Sequence, residues 1–442
     1  MSEAISKERT HNYLRQLKGA IFYRAVAMAA SFLIIPLAIG YLGQEQFGVW
    51  STLLTVISWV IFFDLGIGNG LRNKVAESLA RHNHAEATQY IASGYTLVGL
   101  IALVLWGLVT ASTYFVPWQT VFNTQAIPES TLAEVVRIAT LFIMLNFWVG
   151  LISALLGAVQ KTSQIALGQM ISSILSLALT YVLSKTTEAS IRNLALAYGG
   201  SLLSANVLLT LWFYKAHPEL RPRVQLQKQH TRPLLTEGLQ FFTIQLAVLV
   251  LFTTDKMLIT QLFGPEHVTA YDVVFKLFSV ITFAHGLISA PLWSAYTDAY
   301  HRHDLAWIKN MLRKQMLVFG GVVAAVCVLS LLAKPVIGIW IGFDLGLQTP
   351  LIVAMGVFVA VSTWNNVYAM FVNGIGMIRL QVYTAVLAMI VNIPLSVFFA
   401  KHTRLGVSGI VVGTICSLLF SALALPLQVR QIIRPTFGKQ PA

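Results

Sequence analysis

The stretch 61-IFFDLGIGNGLRNK-74 admits two incompatible folds. A GxGxG string that follows a strand and opens a helix would cradle phosphate in a nucleotide-binding α/β fold. The same glycines inside an apolar helix allow close helix packing or a local break in a membrane span. The flanks choose between them. Upstream lies the apolar run 47-FGVWSTLLTVISWVIFF-63, and downstream Arg72, Asn73 and Lys74 close it. No strand precedes the glycines and no helix N-terminus is expected to open after them, so the phosphate cradle fails its structural test. Asp64 then sits about 12 Å of helix inside Arg72, at one end of a membrane span.

The rest of the chain reads the same way. Of 442 residues, 56% are hydrophobic and 11% charged, against about 25% charged in soluble proteins. Apolar runs predict twelve spans, near 19–40, 47–69, 90–114, 133–157, 163–184, 193–214, 237–262, 267–293, 316–340, 349–374, 380–400 and 406–428. The fold class is therefore an all-α polytopic membrane protein. The connections are short, and none is long enough to hold a catalytic domain. Cys327 and Cys416 lie in apolar segments without CxxC spacing and read as small core residues. No cleavable signal is expected, because the first apolar run lacks a small-residue cleavage site.

The formal net charge of +13 is mostly a topology signal. With the N-terminus inside, the predicted outer connections hold only Lys185, Arg192, Lys401 and Arg404. Five basic residues fall within spans: Arg24, Arg137, Lys256, Lys276 and Lys334. The remainder lie on inner segments, which places both termini in the cytoplasm and excludes a nucleic-acid partner. The longest inner connection, 215-KAHPELRPRVQLQKQHTRP-233, falls mid-chain. It divides the sequence into an N-terminal lobe (1–214), a linker (215–236) and a C-terminal lobe (237–442). A shift of 221 lays Gly43 on Gly264, Glu45 on Glu266, Phe62 on Phe283 and Asp64 on His285. Two six-helix lobes of one orientation would be parallel repeats flanking a midplane cavity.

The run 39-IGYLGQEQFGVW-50 followed by 63-FDLGIGNGLRNKVAE-77 resembles the bacterial polysaccharide flippase family. That family lies within the multidrug/oligosaccharidyl-lipid/polysaccharide exporter superfamily. The match is best over residues 15–80; elsewhere it rests on span count, linker position and loops such as 157-GAVQKTSQ-164 and 373-NGIGMIRLQ-381. The resemblance implies a MATE-like, two-lobed, twelve-helix transporter of the bacterial cytoplasmic membrane. It would carry undecaprenyl-pyrophosphate-linked oligosaccharide, often an O-antigen repeat unit, from inner to outer leaflet. It implies no cofactor, coupling to H⁺ or Na⁺ in some relatives, and membrane lipids and other polysaccharide assembly proteins as partners.

Ionisable groups inside a bilayer cost about 2.5–3.5 kcal/mol each on insertion scales, so each needs a partner or a wet cavity. The densest cluster is 252-FTTDKML-258 with 270-AYDVVFKLF-278. Lys256 and Asp272 are equally far from the turn at Gly264 and reach the same depth in a hairpin. Asp272 and Lys276 are i,i+4 on one face. Three readings stay open: an ion-pair network that lets the hairpin insert, lysines that leave the aspartates to bind an anionic substrate, and ion coupling through Asp255 or Asp272. Arg24 either snorkels to the headgroups or grips pyrophosphate bidentately. Asp64 either pairs with Arg24, carries a coupling proton, or packs as a satisfied cap. His285 is a hydrogen-bonded core residue or a proton carrier. The amides and rings of Asn146, Trp148, Trp364, Asn365 and Asn366 suit sugar hydroxyls and ring faces, or else glue helices together.

Five basic against three acidic intramembrane residues (Asp64, Asp255 and Asp272, with Glu134 at a span edge) favour an anionic cargo. The competing function on the same fold is a multidrug or cation antiporter, which would present unpaired acids. A membrane glycosyltransferase, polymerase or ligase is disfavoured, since no outer loop carries a pair of carboxylates or histidines. No Walker A sequence, zinc-ligand spacing or Ser/His/Asp arrangement is present in the chain.

Overall fold

The computed structural model describes residues 2–61, 67–222, 253–289 and 292–433. Among these the chain is helical throughout its ordered elements. The helices are α1 (Ser2–Leu42), α2 (Gln44–Ile61), α3 (Ile67–Ala80), α4 (His84–Ser112), α5 (Trp118–Phe122), α6 (Glu129–Val149), α7 (Ile152–Ala158), α8 (Thr162–Thr186) and α9 (Ile191–Ala216). After them come α10 (253–263), α11 (Pro265–Ser289), α12 (Leu292–His301), α13 (Leu305–Ile341), α14 (Thr349–Gly374), α15 (Arg379–His402) and α16 (Val407–Ile433). Ten helices of the described residues are long and apolar enough to cross a bilayer. The two other expected spans, 47–69 and 237–262, run partly outside the described residues.

Local sequence sets the helix ends. Asn83 caps α4 by accepting from the Glu86 N–H at 3.1 Å while its amide donates to the Glu86 carboxylate. Asp304 caps α13 through the Trp307 N–H at 2.9 Å. Such caps satisfy donors that have no partner within the helix. Gly342 closes α13 at φ 86°, a left-handed conformation that glycine adopts without a Cβ clash.

Two compact units emerge: Met1–Leu246 with Gly264–Glu266, and Ala247–Phe263 with His267–Ala442. In the first, α1 packs along α8, and α9 bridges α6 and α8. Ile67, Leu71 and Val75 of α3 join α4 and α7 in a buried core. Residues 62–66, immediately before Ile67, lie outside the described residues. Ile67 itself is fully buried against apolar neighbours.

In the second unit, α16 lies between α14 and α15. A Cβ on Gly413 would meet the Ser396 backbone, and one on Gly409 the backbone of Phe399 and Ala400. Small residues thus let α15 and α16 approach at backbone contact, the usual source of packing energy where lipid removes the hydrophobic drive. At the far end, Leu292 and Tyr296 of α12 pack with Phe371 of α14 and Leu425 of α16.

Candidate functional site

The charged hairpin of the second unit assembles as equal depth predicts. Lys256 Nζ of α10 lies 2.6 Å from Asp272 Oδ1 of α11, with the two side chains 25% and 12% exposed. Lys276 follows one turn further along α11 and is half-buried.

Asp255, beside Lys256 in sequence, faces elsewhere. It is buried and accepts hydrogen bonds from the Tyr271 hydroxyl at 3.2 Å and the Thr414 hydroxyl at 3.0 Å. The Asn392 amide in turn donates to Thr414 Oγ1 at 3.0 Å, and Thr254 donates to Asn392 Oδ1 at 3.3 Å. One carboxylate is thus enclosed by hydroxyls and an amide from α10, α11, α15 and α16, and these hydrogen bonds bring it no cationic partner. A buried charge so placed requires a proton or a metal cation to neutralise it. Among the described residues no group of three or more His, Cys, Asp and Glu is placed to hold a metal ion.

Between α11 and α14 lies a cavity of about 420 Å³. Phe275, Phe283, Phe358 and Val359 give it apolar walls, and Ser279, Thr282, His285, Ser362, Thr363 and Asn366 give it polar ones. His285 is buried and held by Ser289, whose Oγ is 3.1 Å from Nε2. Ser362 Oγ, Thr363 Oγ1 and Asn366 Oδ1 are buried without a hydrogen-bond partner among the described residues.

The amide and aromatic candidates separate. Asn366 faces this cavity, whereas Trp364 donates to the Ala422 carbonyl at 2.8 Å and Asn365 to the Leu418 carbonyl at 3.2 Å, both on α16. In the first unit, Asn146 donates to the Phe142 carbonyl and accepts from Asn206 at 3.0 Å, which ties α6 to α9. Trp148 donates to the Tyr95 carbonyl at 3.0 Å and flanks, with Trp106, an apolar cavity of about 250 Å³ between α4 and α6. Arg24 is exposed on α1. Asp64, its candidate partner, lies outside the described residues. At the edge of α6, Arg137 lies over the Tyr114 ring and Glu134 pairs with Arg192 at 3.2 Å.

Tyr271, Thr414 and Asn392 around Asp255, and Ser362 and Thr363 in the cavity, were not among the sequence candidates. Ser362 and Thr363 adjoin the candidates Trp364, Asn365 and Asn366 in sequence, which is the signal that could have found them. The first three are ordinary residues made notable only by what they enclose.

The family model described as polysaccharide biosynthesis protein matches residues 17–296. The chain is 23% identical to a putative O-antigen transporter of Salmonella typhimurium, over 89% of this chain and 90% of that one. It is 22% identical to a putative O-antigen export protein of Yersinia pseudotuberculosis, over 80% and 82%. In fold it is similar to an inward-facing multidrug-resistance MATE transporter of the MOP superfamily, with a TM-score of 0.76, 15% identity, and coverage of 94% of this chain and 98% of that one. The fold is MATE-like.

Proposed function

The chain belongs to the polysaccharide biosynthesis protein family, and on that premise we propose that it is a flippase for a lipid-linked oligosaccharide. The cargo would be an undecaprenyl-pyrophosphate-linked glycan, such as an O-antigen repeat unit, moved from the inner to the outer leaflet of the bacterial cytoplasmic membrane. Twelve spans in two parallel six-helix lobes, 1–214 and 237–442 joined by 215–236, with both termini cytoplasmic, complete the proposal. The observation that carries it is the lysine-rich hairpin: Lys256 on Asp272 with Lys276 a turn away. An arriving pyrophosphate exchanges one carboxylate partner for a doubly charged one, while the lipid tail stays in the bilayer. Arg24 meets the pyrophosphate at the inner mouth, and rocking of the lobes then exposes the head outward.

Net transport draws on downstream consumption of the glycan or on a cation gradient. Asp255 is the group we assign to cation coupling, because H⁺ or Na⁺ neutralises it and its hydroxyl partners are compatible with either. Asp64 is a second candidate. The same buried carboxylate favours one further reading, a multidrug or cation antiporter, to which the likeness to a multidrug-resistance transporter also leads.

The sidedness of lipid-linked glycan in a deletion strain separates the two. A lectin or antibody against the cell's own glycan is applied to intact spheroplasts and to inverted vesicles. The flippase reading requires inner-leaflet accumulation that the wild-type gene reverses and the Arg24→Ala, Lys256→Ala double variant does not. Normal outer-leaflet glycolipid, in a strain with no second flippase, refutes it and leaves the antiporter.

A further inference from the structure

We infer that the cavity between α11 and α14 is a subsite for one uncharged, hydroxyl-rich ring, a single sugar unit of the carried glycan. The inference rests on the flippase reading and narrows it to the part of the head group that this cavity takes.

Polarity is the first ground. Ser362 Oγ, Thr363 Oγ1 and Asn366 Oδ1 line the cavity and are buried with no partner among the described residues. Thr363 is only 3% exposed and His285 4%. Ser362 lies close to the middle of Thr349–Gly374, where a lipid chain has no donor or acceptor to offer. These oxygens are closed to water in this conformation, so a side-chain rotation that turns them into the cavity gives them a partner only from a ligand that brings hydroxyls or amides of its own.

Charge is the second. Apart from the His285 imidazole, no lining residue is acidic or basic among the described residues. A pyrophosphate finds no cation there, and an organic cation finds no carboxylate. Buried charge without a counter-charge is strongly disfavoured, so the ligand is neutral. Shape is the third. Phe275 and Phe358 stand with ring centroids 6.5 Å apart, and Phe283 adds another aromatic wall. A volume of about 420 Å³ falls in the range of small-molecule sites, which are mostly apolar with a few placed polar groups. A sugar ring has that same division, with C–H faces for the aromatic walls and hydroxyl edges for the oxygens of α14. A wholly apolar compound would leave the three oxygens unmet.

The test is saturation-transfer NMR on the full chain in lipid nanodiscs. The probes are methyl α-D-glucopyranoside and N-acetylglucosamine, with glucuronate as the charged counterpart. The neutral sugars are expected to receive saturation and glucuronate to bind more weakly. Thr363→Val and Asn366→Leu each remove one neutral hydrogen bond and are expected to weaken sugar binding by about three- to tenfold. Ser362→Ala, a smaller change, gives the same readout if Asn366→Leu fails to assemble. Ser421→Ala, on α16 and away from the cavity, is expected to leave affinity unchanged.

No saturation of either neutral probe overturns the inference, and so does unaltered binding by the cavity variants or an equal loss in Ser421→Ala. The parent reading fails separately: sugar binding that tracks the cavity variants, in a chain that does not alter glycolipid sidedness, keeps the subsite and removes the flippase. Restored sidedness with no dependence on the cavity removes only the subsite.

Discussion

Lys256→Met is the most informative single change in the charged hairpin. The pair it breaks is short, 2.6 Å, and only 25% and 12% of the two side chains are exposed. Removing one partner of a well-buried ion pair destabilises by about 3–5 kcal/mol, because the surviving charge stays desolvated. Partial exposure of Lys256 and the nearness of Lys276, which lies one turn from Asp272, place the expected loss at the lower end, about 3 kcal/mol. Melting temperature falls roughly 2–4 °C per kcal/mol in units of 150–250 residues, so the purified variant should melt roughly 6–12 °C below wild type. Lys256→Met with Asp272→Leu removes both charges, and replacing a buried pair by apolar groups is often neutral or stabilising. The double variant should therefore regain the melting temperature of the wild type. Glycolipid sidedness then separates structure from binding: the flippase proposal expects the double variant to be stable yet unable to restore outer-leaflet glycan. An unchanged melting temperature in Lys256→Met refutes the energetic argument. A stable double variant with full transport assigns the pair to hairpin insertion alone and refutes its part in binding.

Other predictions concern separate parts of the chain. Asp255→Asn keeps the hydrogen-bond acceptor facing Thr414 and removes the charge; the variant should assemble normally, and its transport should no longer respond to an imposed H⁺ or Na⁺ gradient in proteoliposomes. Gly413→Ala places a methyl against the Ser396 backbone and should cost about 1–3 kcal/mol by thermal melting, as overpacking does. Gly338→Ala is its counterpart: a Cβ there meets nothing within 4 Å, so the gain in helix propensity should stabilise by about 0.5–1 kcal/mol. With the two native cysteines replaced, Gln227→Cys should label only from the cytoplasmic side of the membrane and Ala189→Cys only from the outer side. The reverse pattern would invert the topology read from the basic residues.

Much of the fold is legible in the sequence because a bilayer dictates length and polarity together. Ten of the apolar runs correspond to helices long enough to cross it. The Lys256–Asp272 pairing is legible as well, since a helical hairpin fixes depth by counting from its turn. Direction around a helix is a different quantity. Residues 364, 365 and 366 are adjacent, yet the first two reach carbonyls of α16 while the third lines the cavity. Consecutive side chains differ by about 100° around the axis, and what selects the face is the docking of α16, whose partners are more than 50 residues away in sequence. The enclosure of Asp255 has the same origin. Thr414 reaches it, with the Asn392 amide bonded behind Thr414, because Gly409 and Gly413 bring α16 onto α15 at backbone contact. The glycines of the opening stretch read as interrupting or packing a span, and residues 62–66 there lie outside the described residues.

The distribution of unmet hydrogen bonds on α14 argues that its two faces answer to different demands. Toward α16, the Trp364 indole and the Asn365 amide nitrogen each find a carbonyl, and along α15–α16 Ser396 donates to the Ile410 carbonyl at 3.1 Å while Asn392 and Thr414 bond each other. Toward α11, three oxygens within five residues find nothing among the described residues. A bundle selected for stability alone has no reason to treat one helix so unevenly, because each buried and unsatisfied polar group costs about 1–3 kcal/mol and replacement by an apolar isostere removes that penalty. Valine at 363 or leucine at 366 would be such replacements. Asn365 Oδ1, on the α16 side, is also buried without a partner among the described residues, so the imbalance is one of degree, with three such oxygens beside the cavity and one toward α16. The unsatisfied atoms are therefore better explained by what enters the cavity than by how the helices pack, and Thr363→Val should show the trade directly, with a melting temperature at or above that of the wild type and weaker sugar binding in the same protein.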